Sequence, residues 1–186
     1  MSSDMMGKRI IFAAILSYTI VISGCSRLET RREMKKFFKS TIITPNTLGR
    51  VYDRNIIFEG LQEDMPMLII YNDSTECNSC QINQVFLMEP IFKLSDSLQS
   101  FKVIHIFSPS REEYDTTVEQ LIMLNFKYPL YIDTFGDFGK LNDCIPEDRR
   151  FHCFFINSDG KPVFIGNPIT SEALKTLFIK TLRDIS

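Results

Sequence analysis

The sequence predicts an α/β fold: a mixed central sheet with helices on both faces. Three observations carry this. The apolar run Met67–Tyr71 gives way to a polar loop and then to apolar residues at helical spacing. A second apolar run, Phe101–Phe107, is again followed by a helical pattern, so this half has the alternation of a parallel βαβ unit. Further on, Ser158-Asp159-Gly160-Lys161 separates two more apolar runs, and an Asp-Gly turn between strands makes them antiparallel.

Size and composition agree. A chain of 186 residues holds one ordinary domain with extra at the ends, and 44% apolar residues suffice for a core. Sixteen Phe and no Trp predict a core built on phenylalanine. The net charge of -2 gives no electrostatic footprint for nucleic acid. Five cysteines are too few for a disulfide scaffold and point instead to a specific site.

At the amino end, Lys8 and Arg9 precede the apolar run Ile10–Ile22. This is shorter than the roughly 20 residues of a spanning helix and suits an export signal. Ile22-Ser23-Gly24-Cys25 resembles the bacterial lipoprotein box. That resemblance implies removal of residues 1–24 and an acyl anchor such as palmitate on Cys25; the alternative is an uncleaved amino-terminal anchor. Either places the domain outside the cytoplasm, tethered to a membrane of the bacterial cell envelope. By the same resemblance, Ser26 after the cysteine implies the outer membrane, facing the periplasm. Residues 25–40 form a tether with a charged helix, and 41–186 the domain.

Within the domain, Ile42-Ile43 and Ile56-Ile57-Phe58 suggest a short strand pair ahead of the main sheet. Met67–Tyr71 is the central strand. Helical spacing follows from Cys77 through Ile82, Val85, Phe86, Ile91, Phe92 and Leu98, with Pro90 expected to kink or divide the run. Phe101–Phe107 is a strand containing His105. Ser110–Asn125 is a helix with Ser110 as its cap. Tyr128–Asp133 is a short strand and Phe135–Leu141 a brief helix. Phe151–Asn157 and Pro162–Gly166 are the hairpin strands, and Ser171–Arg183 the closing helix.

The functional reading centres on Cys77 and Cys80. A buried strand, a loop and a Cys-x-x-Cys at a helix start form the layout of a dithiol redox site. The first helical turn offers free N–H groups and a positive dipole end, which stabilise a thiolate. Cys77 is therefore the exposed attacking thiol and Cys80 the inner resolving one, with exchange passing through a mixed disulfide. Glu76 opposes thiolate formation. No bound cofactor is required. The implied partners are exported protein thiols or disulfides and a redox partner that resets the pair.

This order of elements, with the cysteine pair at the first strand–helix junction, resembles the thioredoxin-like superfamily, in particular exported, membrane-tethered thiol–disulfide proteins of Bacteroides type. The resemblance spans Ile56 to Ile185 and includes Tyr131-Ile132-Asp133 with Gly136, and Phe154–Lys161. Three family features differ: Glu76 stands where Trp is usual, Met67–Tyr71 contains no buried acid, and Phe151 or His152 occupies the place of the cis-proline. A cis bond without proline is costly, so a trans bond and an altered groove are expected there. His152 would then lie near the sulfurs, able to stabilise the Cys77 thiolate.

Other readings stay open. Ser74, three residues before Cys77, resembles the Thr or Ser that peroxidases of this superfamily carry there, which implies a thiol peroxidase as an alternative. Cys77, Cys80 and His152 could hold a soft metal ion. A non-enzymatic binding module with a vestigial disulfide is a further alternative. Cys144 and Cys153 flank the loop Ile145–Arg150; they form a structural disulfide, a relay to the site, or two free buried thiols.

Overall fold

The structure, a computed structural model, describes residues 28–61 and 64–185. The expected export segment and Cys25 lie outside these residues. Residues 28–37 form a helix (α1), in agreement with the charged pattern. The compact unit that follows begins at Phe37. Among the described residues no helix is long and apolar enough to cross a membrane.

The compact unit is a seven-stranded sheet: β1 (Leu48–Tyr52), β2 (Asn55–Glu59), β3 (Met67–Asn72), β4 (Lys102–Phe107), β5 (Leu130–Ile132), β6 (Cys153–Ile156) and β7 (Pro162–Ile165). The spatial order is β2-β1-β5-β4-β3-β6-β7. Strands β3, β4 and β5 are parallel, whereas β3–β6, β6–β7, β1–β5 and β1–β2 are antiparallel. The helices are α2 (Asn78–Gln84), α3 (Glu89–Leu98), α4 (Tyr114–Leu124), α5 (Asp137–Leu141) and α6 (Glu172–Ile185). The predicted mixed sheet with helices on both faces is thus the fold observed.

Every residue of β3 is buried, as a strand covered on both faces requires. Its alternation divides the core. Leu68 and Ile70 face a layer with Ile82, Phe92, Leu121, Phe155 and Phe178, drawn from α2, α3, α4, β6 and α6. Met67, Ile69 and Tyr71 face the other layer with Phe37, Phe138 and Phe154. Phenylalanine is the commonest residue of the first layer, as its abundance predicted, and isoleucine of the second. The Phe178 ring lies 5.3 Å from Phe155, 5.7 Å from Phe101 and 5.5 Å from Phe164. The first two are edge-to-face, and contacts of that kind add about 0.5–1.5 kcal/mol per pair to the burial of the rings.

Several boundaries differ from expectation. Ile42-Ile43 is not a strand; Leu48–Tyr52 pairs with β2 instead. Ser110 does not cap α4, because its carbonyl accepts from Glu113 N–H at 3.1 Å and closes a turn first. Phe151 ends a 3-10 turn, Arg149–Phe151, capped by Asp148, so β6 begins at Cys153. Pro90 divides its helical run as expected. A 3-10 turn, Val85–Met88, intervenes, and Pro90 falls in the first turn of α3, where its missing N–H costs nothing.

A close approach at Gly139 supplies a test. A Cβ there would lie 2.6 Å from the Tyr71 hydroxyl oxygen. Gly139→Ala should destabilise the protein by about 1–3 kcal/mol through overpacking, read as a lowered midpoint in urea. In a Tyr71→Phe background, where the hydroxyl is gone, the same change should be neutral or stabilising.

Candidate functional site

The site begins where β3 ends. Asp73 Oδ1 accepts from Thr75 N–H at 2.8 Å and from Thr75 Oγ1 at 2.6 Å, tightening the loop that leaves the strand. This delivers Cys77 as the N-cap of α2, in extended conformation. Its Sγ accepts from Cys80 N–H at 3.3 Å, the bond a capping oxygen would normally make. Cys77 and Cys80 are joined as a disulfide, with Cα atoms 5.3 Å apart.

Both cysteines are exposed, so Cys80 is not the inner thiol expected. The reason lies in the helix. Asn78 and Ile82, four residues apart, take the inward face and leave Cys80 on the solvent side. The two sulfurs differ instead in hydrogen bonding, since Cys77 Sγ is the one that receives the helix N–H.

Glu76 and His152 are brought together. Glu76, expected to act only by repelling charge, is 6% exposed, and its Oε1 lies 3.1 Å from His152 Nδ1. Glu76 Oε2 accepts from Gln81 Nε2 at 3.0 Å. His152 Nε2 lies 2.9 Å from the Pro146 carbonyl oxygen. Both ring nitrogens are thus engaged, with Glu76 and Pro146 as their partners. His152 is set there by the sheet: its carbonyl accepts from Tyr71 N–H at 2.9 Å, one step beyond the last β3–β6 pair. Among the described residues every peptide bond is trans, so the bond before His152 is trans, as predicted. Burial lowers the His152 pKa, but the Glu76 hydrogen bond, the Pro146 carbonyl and nearby Asp73 outweigh it, and the pKa is raised.

Beneath α2 lies a second polar group that sequence reasoning missed. Asn72, at the end of β3, donates from Nδ2 to His105 Nε2 at 2.9 Å, which puts the ring proton on Nδ1. His105 is fully desolvated, and burial pushes its pKa down to about 3. Asn78, between the two cysteines, is 2% exposed and donates to Glu113 Oε2 at 3.0 Å. Asn78 Oδ1 and His105 Nδ1 are buried with no hydrogen-bond partner among the described residues, each costing about 1–3 kcal/mol. The i, i+4 spacing of Asn78 and Ile82 was the available signal for the burial of Asn78.

Cys144 and Cys153 are free, buried thiols; the disulfide considered between them does not form. The sheet itself separates them. Cys153 belongs to the layer of Leu68 and Phe155, and Cys144 to the layer of Ile69 and Phe154. Burial raises the Cys153 thiol to about 12, which leaves it protonated and unsuited to relay. No group of three or more His, Cys, Asp or Glu among the described residues is placed to hold a metal ion.

Ser74 opens onto a cleft of about 890 Å³ at the carboxyl ends of β3, β4 and β5, lined also by Tyr71, Ser108, Arg111, Tyr114 and Phe135. Near Phe135 in the chain, buried Asp133 accepts from Asp137 N–H at 3.0 Å and Phe138 N–H at 2.9 Å at the start of α5. On the far side of the disulfide loop, Arg149 Nη2 donates to Thr75 O at 2.9 Å. A cavity of about 480 Å³ at the amino ends of the parallel strands, lined by Lys102 and Tyr128, is remote from the sulfurs.

Solved structures share this fold. A protein described as a candidate thiol:disulfide interchange protein DsbE, from Chlorobium tepidum, superposes with a TM-score of 0.52 at 13% identity, covering 77% of this chain and 96% of that one. The fold is thioredoxin-like. AhpC from Enterococcus faecalis superposes with a TM-score of 0.51 at 11% identity, covering 78% of this chain and 93% of its own. No protein-family model and no curated protein matches the sequence. At these identities the thioredoxin-like likeness speaks to the fold, and the chemistry is argued from Cys77 and Cys80.

Two outcomes test this geometry. The native, non-reduced protein should resist alkylation at Cys144 and Cys153, and under denaturation mass spectrometry should find these two labelled and Cys77 bonded to Cys80. His105 binds a proton more readily unfolded (pKa near 6.5) than folded (about 3), so its contribution is complete above pH 6.5 and is lost as pH falls toward 3. His105→Leu should therefore flatten the loss of stability across that window by about 2–4 kcal/mol, measured by urea unfolding at stepped pH.

Proposed function

We propose that this chain is a thiol–disulfide oxidoreductase acting on exported proteins, held at the bacterial envelope by a lipid on Cys25. The single observation that carries the chemistry is the exposed Cys77–Cys80 disulfide, with Cys77 Sγ in the capping position of α2. A thiolate formed on Cys77 by reduction would keep the Cys80 N–H bond and the positive end of the helix, and both favour the ionised form.

The reaction follows from the two sulfurs. The Cys77 thiolate attacks one sulfur of a substrate disulfide, forming a mixed disulfide and releasing the other substrate sulfur as a thiolate. Cys80, deprotonated, then attacks Cys77 Sγ. The Cys77–Cys80 bond forms, the mixed disulfide breaks, and the second substrate sulfur leaves as a thiolate. The substrate gains two electrons and the protein loses two, which a dithiol partner restores. In reverse the pair oxidises a substrate dithiol, and the direction is set by its potential against that partner.

Equilibration with glutathione buffers tests the reading. The parent protein should show one two-electron transition and should catalyse disulfide exchange. Cys77→Ser should abolish exchange, and Cys80→Ser should accumulate mixed disulfides on Cys77. Exchange that persists in Cys77→Ser, or is absent from the parent, would remove the enzymatic reading.

A further inference from the structure

Cys77 is preceded by a buried acid, and buried acids beside a reactive thiol should suppress it. Glu76 is 6% exposed and one peptide bond from Cys77. A bare carboxylate there would carry a full negative charge in a poorly solvated place, and a thiolate on Cys77 would add a second. The arrangement around His152 resolves this conflict.

The protons can be placed by elimination. A carbonyl oxygen only accepts, so His152 Nε2, 2.9 Å from the Pro146 oxygen, carries a hydrogen. Glu76 Oε2 is satisfied by the Gln81 amide at 3.0 Å. One further proton lies between His152 Nδ1 and Glu76 Oε1, 3.1 Å apart. Imidazolium with carboxylate, or imidazole with carboxylic acid, the pair carries no net charge. The other groups facing it are Asp73 on the loop, Asp148 on the segment before β6, and the Tyr71 ring on β3, whose centroid is 5.6 Å from that of His152. Both carboxylates favour the imidazolium.

We propose that His152 is a positioning residue that acts on Cys77 through Glu76: by balancing the buried carboxylate, it allows the neighbouring thiolate to form. Glu76 in turn ties the loop to α2 through Gln81 and to the segment before β6 through His152. This rests on the thiol–disulfide reading for its purpose, but the thiolate pKa can be measured whether or not the protein turns over a substrate. Loss of exchange activity would sink that reading and leave this one standing.

The test is a double-mutant cycle on reduced protein in a Cys80→Ser background, where Cys77 is the exposed thiol among the described residues. The pH dependence of iodoacetamide alkylation gives its pKa. His152→Gln leaves the carboxylate unbalanced and should raise the Cys77 pKa by about one unit, a roughly tenfold loss of thiolate at pH 7. Glu76→Gln removes the charge with its partner's need for a proton and should shift it by only a few tenths. The double variant should return close to the parent. An unchanged pKa in His152→Gln, or a double variant that behaves as His152→Gln alone, overturns the proposal. Should His152→Gln fail to fold, NMR titration of His152 in the parent protein replaces it. A pair that keeps its shared proton above pH 7, on the imidazole or on the Glu76 carboxyl, supports the proposal, and a neutral imidazole beside an ionised Glu76 carboxylate at pH 7 contradicts it.

Discussion

A sulfur in the position of a helix cap is the constraint on which the site depends. The cap fixes where α2 starts, and α2 fixes which residues of the Cys-x-x-Cys turn inward. Because Cys77 Sγ accepts the Cys80 N–H, α2 must begin at Asn78, and Asn78 and Ile82 must then face the sheet. Both cysteines are left at the surface. Exposure and helix-end electrostatics thus have one cause, the loop that ends β3 and sets the first turn of α2.

The sheet supplies the second half of the site. Antiparallel pairing of β3 with β6 continues through the Tyr71–His152 hydrogen bond, which brings a residue nearly eighty positions away beside the disulfide loop. With a trans bond there, the segment presents an imidazole rather than a proline ring. That imidazole meets Glu76, so the departures noted at Glu76 and at His152 are two sides of one contact. The same sheet keeps Cys144 and Cys153 apart, so among the described residues the bonded pair is Cys77 and Cys80.

Much of this was legible beforehand. Apolar runs bounded by polar loops located β3, β4 and the hairpin of β6 and β7, because a buried strand must be apolar on both faces. The Cys-x-x-Cys spacing located the site, because spacing and capping are local. What the sequence did not reveal depends on distant partners. Glu76 reads as an acid that opposes the thiolate until His152 and Gln81 are beside it. His105 reads as an ordinary strand residue until Asn72 is placed against its ring. Cys144 and Cys153 read as a possible pair along the chain, and only the alternation of β6 puts a sheet between them. Ser110 is a reasonable cap by residue type, but the turn it closes with Glu113 delays α4 to Tyr114.

The central claim is that Cys77, not Cys80, is the reactive sulfur, although both are exposed. It is tested most directly by reducing the protein, treating it at neutral pH with less than one equivalent of an alkylating agent, and locating the label by peptide mass spectrometry. A label found predominantly on Cys77 is the result expected of a sulfur held at the helix start. Equal labelling of the two cysteines, or a preference for Cys80, would contradict it.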